Sequence, residues 1–310
     1  MLRESCSTQL QLPLPYLDRL AQSASHRYKE YVIPKRTGGR RTIHHPARAL
    51  KAIQRWLLRE VLYQWPVHPS AHAYEIGRNI RSNAAVHLGA RYVLRIDLRD
   101  FFPSLDSSDI EEYWTRHPST VPDWTEPDMQ WFLRIVCRNG VLTVGAPTSP
   151  RLSNVLCLEV DRAISALCEQ HGAAYSRYAD DLFFSTAAQG VLPRLEPAVR
   201  EVVEEAELPS SLTINEPKTR HFSRRKKMSI TGLVLTQYDD ISIGRKRKRH
   251  LRSMIFGYDA LPVEERRHLA GWLAFCSSVE PDFIERLVQK YGAEKVDEAM
   301  QMPPAPTNPG

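Results

Sequence analysis

Apolar residues recur every three or four positions between residues 49 and 65, at Leu50, Ile53, Leu57, Leu58, Val61 and Leu62. That period predicts one amphipathic helix, opened near Pro46 and stopped by Pro66. Leu10, Leu12, Leu14, Leu17 and Leu20 predict a leading helix over residues 10–30, interrupted early by Pro13 and Pro15. Two amphipathic helices are expected over 107–139, split by the stretch from Pro118 to Pro122. Others are expected over about 151–170 and 191–206, with one or two turns from Ser82 to His87. Strand signals lie between them. Tyr31-Val32-Ile33-Pro34 and Arg40-Arg41-Thr42-Ile43 flank Thr37-Gly38-Gly39, the pattern of a hairpin with cations on both arms. Residues 91–97 begin as a buried strand. Tyr175-Ser176-Arg177-Tyr178 and Leu182-Phe183-Phe184-Ser185 read as strand, tight turn, strand, with Asp180 and Asp181 at the tip. Residues 212–215 and 218–222 are expected to pair about Glu216-Pro217, and 230–235 with 241–243 as a last hairpin. From Arg245 the pattern is mostly helical, and the Pro-rich tail, 299–310, is expected to be disordered. The class this predicts is α+β.

Composition narrows the setting. Charged residues make up 25% and hydrophobic ones 42% of the 310, an ordinary globular balance. No run approaches eighteen apolar residues, so no membrane span or membrane partner is expected. The first residues lack the apolar core of a secretory signal, and the expected location is cytoplasmic. Five cysteines without a Cys-x-x-Cys spacing argue against a disulfide framework or a zinc knuckle. The net charge of +6 favours a polyanionic partner. Its distribution says more: Lys35-Arg36 with Arg40-Arg41, Arg224-Arg225-Lys226-Lys227, and Arg245-Lys246-Arg247-Lys248-Arg249 suggest a surface that tracks phosphates.

The acids carry the chemistry. An isolated Asp-Asp is most simply a solvated turn. Asp97 changes that reading, because a carboxylate inside an apolar strand is costly unless paired or bound to a metal. An antiparallel sheet would set Asp97 beside Asp180 and Asp181. Three carboxylates at one point in a basic chain describe a site for two divalent cations, the arrangement used for in-line phosphoryl displacement. On these residues alone, hydrolysis by a nuclease stays open beside nucleotide transfer.

The ordered blocks resemble those of reverse transcriptases, and of retron reverse transcriptases in particular. Tyr178-Ala179-Asp180-Asp181 matches the catalytic hairpin, and Arg95-Ile96-Asp97-Leu98-Arg99-Asp100-Phe101-Phe102-Pro103-Ser104 the first catalytic block. Gly145-Ala146-Pro147-Thr148-Ser149-Pro150-Arg151-Leu152-Ser153-Asn154 matches the block that lines nucleotide and template. Asn215-Glu216-Pro217-Lys218-Thr219 resembles the Asn-x-x-Lys-Thr block. Asn83-Ala84-Ala85-Val86-His87 and Ile230-Thr231-Gly232 match two elements that single out retrons, the second associated with recognition of their own structured RNA.

The resemblance implies a right-hand polymerase with fingers, an antiparallel-sheet palm and a small helical thumb. N-terminal helices and fingers would occupy 1–90, the palm with inserted finger helices 91–243, and the thumb 244–298. Asp97 and Asp180 would hold two Mg²⁺ ions (Mn²⁺ being an alternative), with Asp181 assisting and the Leu98 carbonyl as a further oxygen ligand. Phe102 would be the steric gate that selects deoxynucleoside triphosphates, with Phe101 packing beside it and Asp100 capping the triphosphate pocket. Arg41 and Lys35 would reach the nucleotide phosphates, and Lys218 the pyrophosphate leaving group. Asn83, His87, Pro147, Ser149, Asn154, Thr231, Gly232 and the run Arg245, Lys246, Arg247, Lys248 and Arg249 would contact RNA or DNA. Val144 stands where the family usually has Gln, so positioning of the nucleotide sugar falls to the Gly145 backbone. Implied partners are a cognate noncoding RNA, its RNA–DNA product and a separate effector or toxin protein. The implied reaction copies part of that RNA from an internal guanosine 2′-OH, as part of defence against phage. A group II intron-like or diversity-generating reverse transcriptase is the alternative within the class. Outside it stands a catalytically vestigial RNA-binding protein, against which the three acids and Phe102 argue.

Overall fold

The computed structural model describes residues 1–34, 38–121, 123–225 and 227–301. Lys35, Arg36, Lys226 and the tail from residue 302 lie outside the described residues. The chain divides into two compact units. One joins Met1–Asn79 to Ala90–His221, and the other joins Ile80–Gly89 to the chain from Phe222 onward.

In the first unit the leading helix is two: α1 (Leu2–Leu10) and α2 (Leu14–Gln22). Gln11 takes left-handed backbone at φ 53° and Pro13 opens α2, so the break falls where the prolines are. β1 (Tyr28–Pro34) and β2 (Arg40–Pro46) form the expected antiparallel hairpin, with Ile33 opposite Arg41. α3 (Arg48–Glu60) buries Leu50, Ile53 and Leu57. It stops before Trp65, at a short 3₁₀ turn, Leu62–Gln64. α4 (Ile80–Ala85) belongs to the second unit. Then come β3 (Tyr92–Asp97), α5 (Ser107–Arg116) and α6 (Glu126–Val136). Reciprocal capping boxes, Asp106 with Asp109 and Thr125 with Asp128, open both helices. The helix expected from about residue 151 starts earlier and is broken at Cys157, giving α7 (Ser149–Leu156) and α8 (Leu158–Gln170).

β4 (Ala174–Tyr178) and β5 (Asp181–Thr186) are the arms of the Asp180 hairpin. After α9 (Val191–Glu204) the chain returns as β6 (Arg220–Ser223), and the sheet runs β4-β5-β3-β6. The strand pair expected about Glu216-Pro217 is absent. Those residues form a 3₁₀ turn, Ile214 bridges Leu98, and β6 extends the larger sheet instead. Leu94, Ile96, Leu182 and Phe184 join this sheet to the core. Beyond them Trp65 stacks on Tyr113 at 5.3 Å and meets Phe132 at 5.8 Å.

One polar network runs through that core. Arg177 of β4 is fully buried, and its guanidinium donates to both oxygens of Asp161 on α8, at 2.9, 3.2 and 2.7 Å. Tyr175 donates its hydroxyl to the same carboxylate at 2.7 Å. Burial alone would lower the Arg177 pKa, but the Asp161 charge outweighs it and holds the guanidinium firmly protonated. A further Arg177 nitrogen donates to Asn154 Oδ1 at 3.0 Å and to the Ala179 carbonyl at 3.3 Å.

In the second unit, β7 (Met228–Ile230), β8 (Leu233–Leu235) and β9 (Ile241–Ser242) form a three-stranded meander. Residues 230–235 are therefore not one strand. Thr231 and Gly232, at φ 47° and 84°, make a two-residue turn of the kind that matches strand twist. The Thr231 hydroxyl donates to the Ile80 carbonyl at 3.2 Å. The helices α10 (Arg245–Phe256), α11 (Val263–Val279), α12 (Pro281–Tyr291) and α13 (Ala293–Met300) follow, packed on Leu251, Leu269, Leu273, Phe283 and Leu287. The last helix ends two residues past the expected bound of 298. All five cysteines are buried free thiols, and no described helix is long and apolar enough to cross a membrane.

Asp161→Ala would leave the Arg177 guanidinium buried without its counter-charge. The expected cost is about 3–5 kcal/mol of stability, the range for breaking one side of a buried ion pair. Urea unfolding followed by circular dichroism measures it.

Candidate active site

β3 and β5 pair directly, with Asp97 opposite Asp181. Tyr178 also faces Asp181 across the hairpin, leaving Ala179 and Asp180 as a two-residue turn. Ala179 is left-handed at φ 58°, a position that glycine ordinarily fills. The Leu98 N–H donates to the Asp180 carbonyl at 2.8 Å, fixing the turn beside the end of β3. The three acids are thus neighbours at the strand ends, and Asp180 and Asp181 each feel the charge of Asp97.

Like charges opposite one another are unfavourable, and three side chains offset them. Lys218 Nζ donates to Asp97 at 2.7 and 3.0 Å, and Asn215 Nδ2 donates to it at 2.9 Å. Arg95 donates twice to Asp181, at 2.9 and 2.7 Å, and lies 3.7 Å from Asp97. Asp180 is different. Its carboxylate meets its own backbone N–H and, among the described residues, no side-chain donor. Burial raises its pKa, Asp97 adds to the rise, and the charges of Lys218 and Arg41 oppose it. Burial pushes Asp181 up to about 6 against the pull of Arg95.

Among the described residues no three His, Cys, Asp or Glu side chains converge as a ready metal cluster, and Asp97 and Asp181 are paired with Lys218 and Arg95. The donor set is nevertheless all oxygen, and the uncompensated Asp180 adjoins it. That chemistry fits a hard divalent cation.

The remaining candidates distribute as follows. Asp100, left-handed at φ 44°, precedes Phe101, which is buried, and Phe102, which is half-buried, with the two rings 5.6 Å apart. Arg41 is exposed on β2, and its charge is felt at Asp180. Gly145, at φ 117°, lies against that strand, and the Val144 carbonyl accepts from the His44 N–H at 2.8 Å. A Cβ at Gly145 would stand 2.6 Å from the His44 carbonyl oxygen.

Several residues expected to touch nucleic acid are interior instead. Asn154 is fully buried and donates to the Ala73 carbonyl at 2.8 Å and to Glu75 at 2.7 Å, while accepting from Arg177. Ser149 is buried and accepts from the Thr143 N–H. In the second unit Asn83 and His87 are fully buried. These four are buried, each within its own unit. Pro147 and Thr231 are half-buried and Gly232 is exposed. Of the basic run, Arg245, Lys246 and Arg249 are exposed. Lys248 pairs with buried Glu280, and Arg247 lies over the Trp272 ring at 4.4 Å, so both also serve the packing of their own unit.

The paired acids at a hairpin tip, in a sheet flanked by helices and preceded by a cationic hairpin, define a nucleotidyltransferase of the polymerase type. The family described as reverse transcriptase (RNA-dependent DNA polymerase) matches residues 33–235. Retron Ec83 reverse transcriptase of Escherichia coli is 36% identical over 298 residues, 93% of this chain and 95% of its own length. Retron Ec86 reverse transcriptase of the same organism is 31% identical over 90% of this chain and 87% of its own. Apo telomerase from Candida Tropicalis shares the fold, with a TM-score of 0.50 at 12% identity over 88% of this chain and 60% of the telomerase chain. The chain belongs to the reverse transcriptase family, as a retron-type RNA-directed DNA polymerase. Reverse transcriptases use divalent metal ions such as Mg²⁺.

Sequence reasoning missed Arg95, Asn154's true partners and the Glu75 loop. Arg95 was within reach, because residues two apart on a strand share a face and Asp97 needs a cation on its own. Nothing in the sequence marks Glu75.

Gly145→Ala would drive a methyl into the His44 carbonyl and strain a left-handed backbone. We expect a loss of about 1–3 kcal/mol in stability, the usual range for overpacking. The KM for deoxynucleotide should rise with kcat less affected, as steady-state incorporation kinetics will show.

Proposed function

We propose that this polymerase binds a cognate structured noncoding RNA and copies part of it into single-stranded DNA, starting from an internal guanosine 2′-OH and leaving a branched RNA–DNA. The observation that carries the catalytic part is Asp180, a carboxylate with no side-chain donor among the described residues, on a strained turn beside Asp97 and Asp181. The retron part rests on the relatives' identity and on the Asn83-to-His87 and Ile230-Thr231-Gly232 blocks. A role in phage defence beside a separate effector protein, in the cytoplasm, belongs to the same reading.

Asp97 and Asp180, with Asp181 and the Leu98 carbonyl, would hold two Mg²⁺ ions. When bound, such a pair activates the attacking hydroxyl and stabilises the leaving pyrophosphate. The chain's own groups do the rest. Asp180 is open to a ligand, whereas Asp97 must first release the Lys218 ammonium. Lys218, half exposed and on a flexible stem, is then free to meet the charge that leaves with pyrophosphate. Arg95 stays on Asp181 and neutralises it, so Asp181 contributes mainly charge. Arg41 suits the triphosphate, with a planar fork for bidentate contact. Phe102 would block a ribonucleotide 2′-OH, and the Gly145 backbone would meet the sugar where the family's Gln is missing. We also assign fingers, palm and thumb to 1–90, 91–243 and 244–298, with Arg245, Lys246 and Arg249 supplying phosphate contacts that weaken with salt.

Asp180→Asn should abolish deoxynucleotide incorporation, by about three orders of magnitude or more. Asp181→Asn should retain measurable activity, about ten-fold or more above that of Asp180→Asn. Equal losses in a primed-template assay would refute the ranking. Chelation of divalent ions should stop incorporation by the wild-type chain, and added Mg²⁺ should restore it. Sequencing the nucleic acid that copurifies with the chain tests the retron part: a short branched species supports it, and intron RNA would sink it.

A further inference from the structure

The loop around Tyr74 has no role in the sequence blocks, yet it is held at several points of the first unit. The Arg177 N–H donates to the Ser70 carbonyl at 2.7 Å, and the His72 N–H to the Arg177 carbonyl at 2.8 Å, so the loop lies along β4 as a short parallel bridge. Asn154 reaches the Ala73 carbonyl and Glu75. Arg151, itself buried, pairs with Glu75 and donates to the carbonyls of Leu62 and Trp65 at 3.0 and 2.6 Å. Arg78 closes the loop on the Ala71 carbonyl at 2.7 Å.

Tyr74 sits between these anchors in left-handed backbone, φ 65°, which a residue with a bulky side chain rarely adopts. Such strain persists only where the surroundings over-determine it. The ring is not hidden in the core. It is 44% exposed, and its centroid lies 6.3 Å from that of Phe102. Burial of the hydroxyl, with Asp180 adding to it, pushes its pKa up to about 12, so it stays neutral. A loop held at several points, a strained backbone and an accessible ring together set the Tyr74 ring beside that of Phe102.

We propose that Tyr74 is a positioning residue for sugar selection, whose ring backs Phe102 and fixes the gate against the 2′ position of the incoming nucleotide. The inference rests on the reading of Phe102 as the gate. It extends selection to a loop far from Phe102 in sequence, and it assigns Glu75, Arg151 and Asn154 to holding that loop.

The test compares dATP with ATP, which differ only at the 2′ position, on a poly(U) template with an oligo(dA) primer and the full chain. Tyr74→Gly removes the ring and accepts the left-handed backbone without strain. The ratio of kcat/KM for dATP over ATP should fall by about ten-fold, mainly through a lower KM for ATP. Tyr74→Phe keeps the ring and should keep the wild-type ratio, the rescue that a lost hydroxyl bond would not give. Glu75→Gln, which leaves the ring but weakens its anchor, should give a smaller fall in the same direction, and serves also if the glycine variant does not fold by thermal melting. Phe102→Ala is the reference and should collapse the ratio furthest. If Phe102→Ala lowers the ratio while Tyr74→Gly, or Glu75→Gln in its place, leaves it at the wild-type value, the inference is overturned. If Phe102→Ala leaves it unchanged, the gate reading itself fails and the inference falls with it.

Discussion

The buried contact between Arg177 and Asp161 is the constraint on which the geometry of the acids depends. A guanidinium has five donors in a fixed plane, and Arg177 uses them on three separate parts of the fold: Asp161 on α8, Asn154 on α7 and the Ala179 carbonyl in the turn. Its main chain binds the loop at Ser70 and His72. Lysine would keep the charge but lose the fork, and with it the simultaneous hold on helix and turn. Such a pair adds little net stability over an apolar replacement. Its value is positional: under the proposed function, the turn carries a metal-ligating carboxylate and has to be held to a fraction of an ångström.

The charge balance around the acids divides them by how firmly each is held. Arg95 grips Asp181 with two nitrogens from the neighbouring strand, a short-range contact that is costly to break. Lys218 grips Asp97 from a 3₁₀ turn with a side chain that is half exposed, so its ammonium can be exchanged for another cation at small desolvation cost. Among the described residues Asp180 has no such partner. Under the proposed function, the order of availability to a metal would therefore be Asp180, then Asp97, then Asp181. It follows from the anchoring of their partners rather than from the acids themselves.

The helices and the two hairpins were legible because period and turn residues agree with the tertiary fold there. The strand-turn-strand about Asp180 and the fingers hairpin lie where the pattern put them. Two of the strand expectations failed for identifiable reasons. Residues 230–235 are apolar enough for one strand, but Thr231 and Gly232 both turn left-handed and fold it in two. Residues 212–222 hold two strand-like runs, but a free edge of the larger sheet takes the second. Within the site, Asp97 was legible because a lone acid in an apolar strand needs an explanation. Arg177 stands in the same position in β4, and the same rule would have demanded a buried partner for it. Asn154, read as a nucleic-acid contact, is consumed by the interior, which no local pattern reveals.

Backbone strain also falls near the acids. Of the seven non-glycine residues in left-handed backbone among the described residues, three, Tyr74, Asp100 and Ala179, adjoin residues of the proposed reaction: Phe102 by ring contact, Phe101 and Phe102 by sequence, Asp180 by sequence. Each costs on the order of 1 kcal/mol or more relative to glycine's freedom. Glycine would relieve that strain but would also loosen the chain at the point where a gate ring or a ligand must not drift. A side chain that tolerates strain under external clamps gives a stiffer turn than one that is comfortable without them. The clamps are visible at two of the three: Asn154 and Arg151 around Tyr74, and Arg177 beneath Ala179. Asn154 joins the two clamps, since it donates to the Tyr74 loop and accepts from the same Arg177 nitrogen that donates to the Ala179 carbonyl.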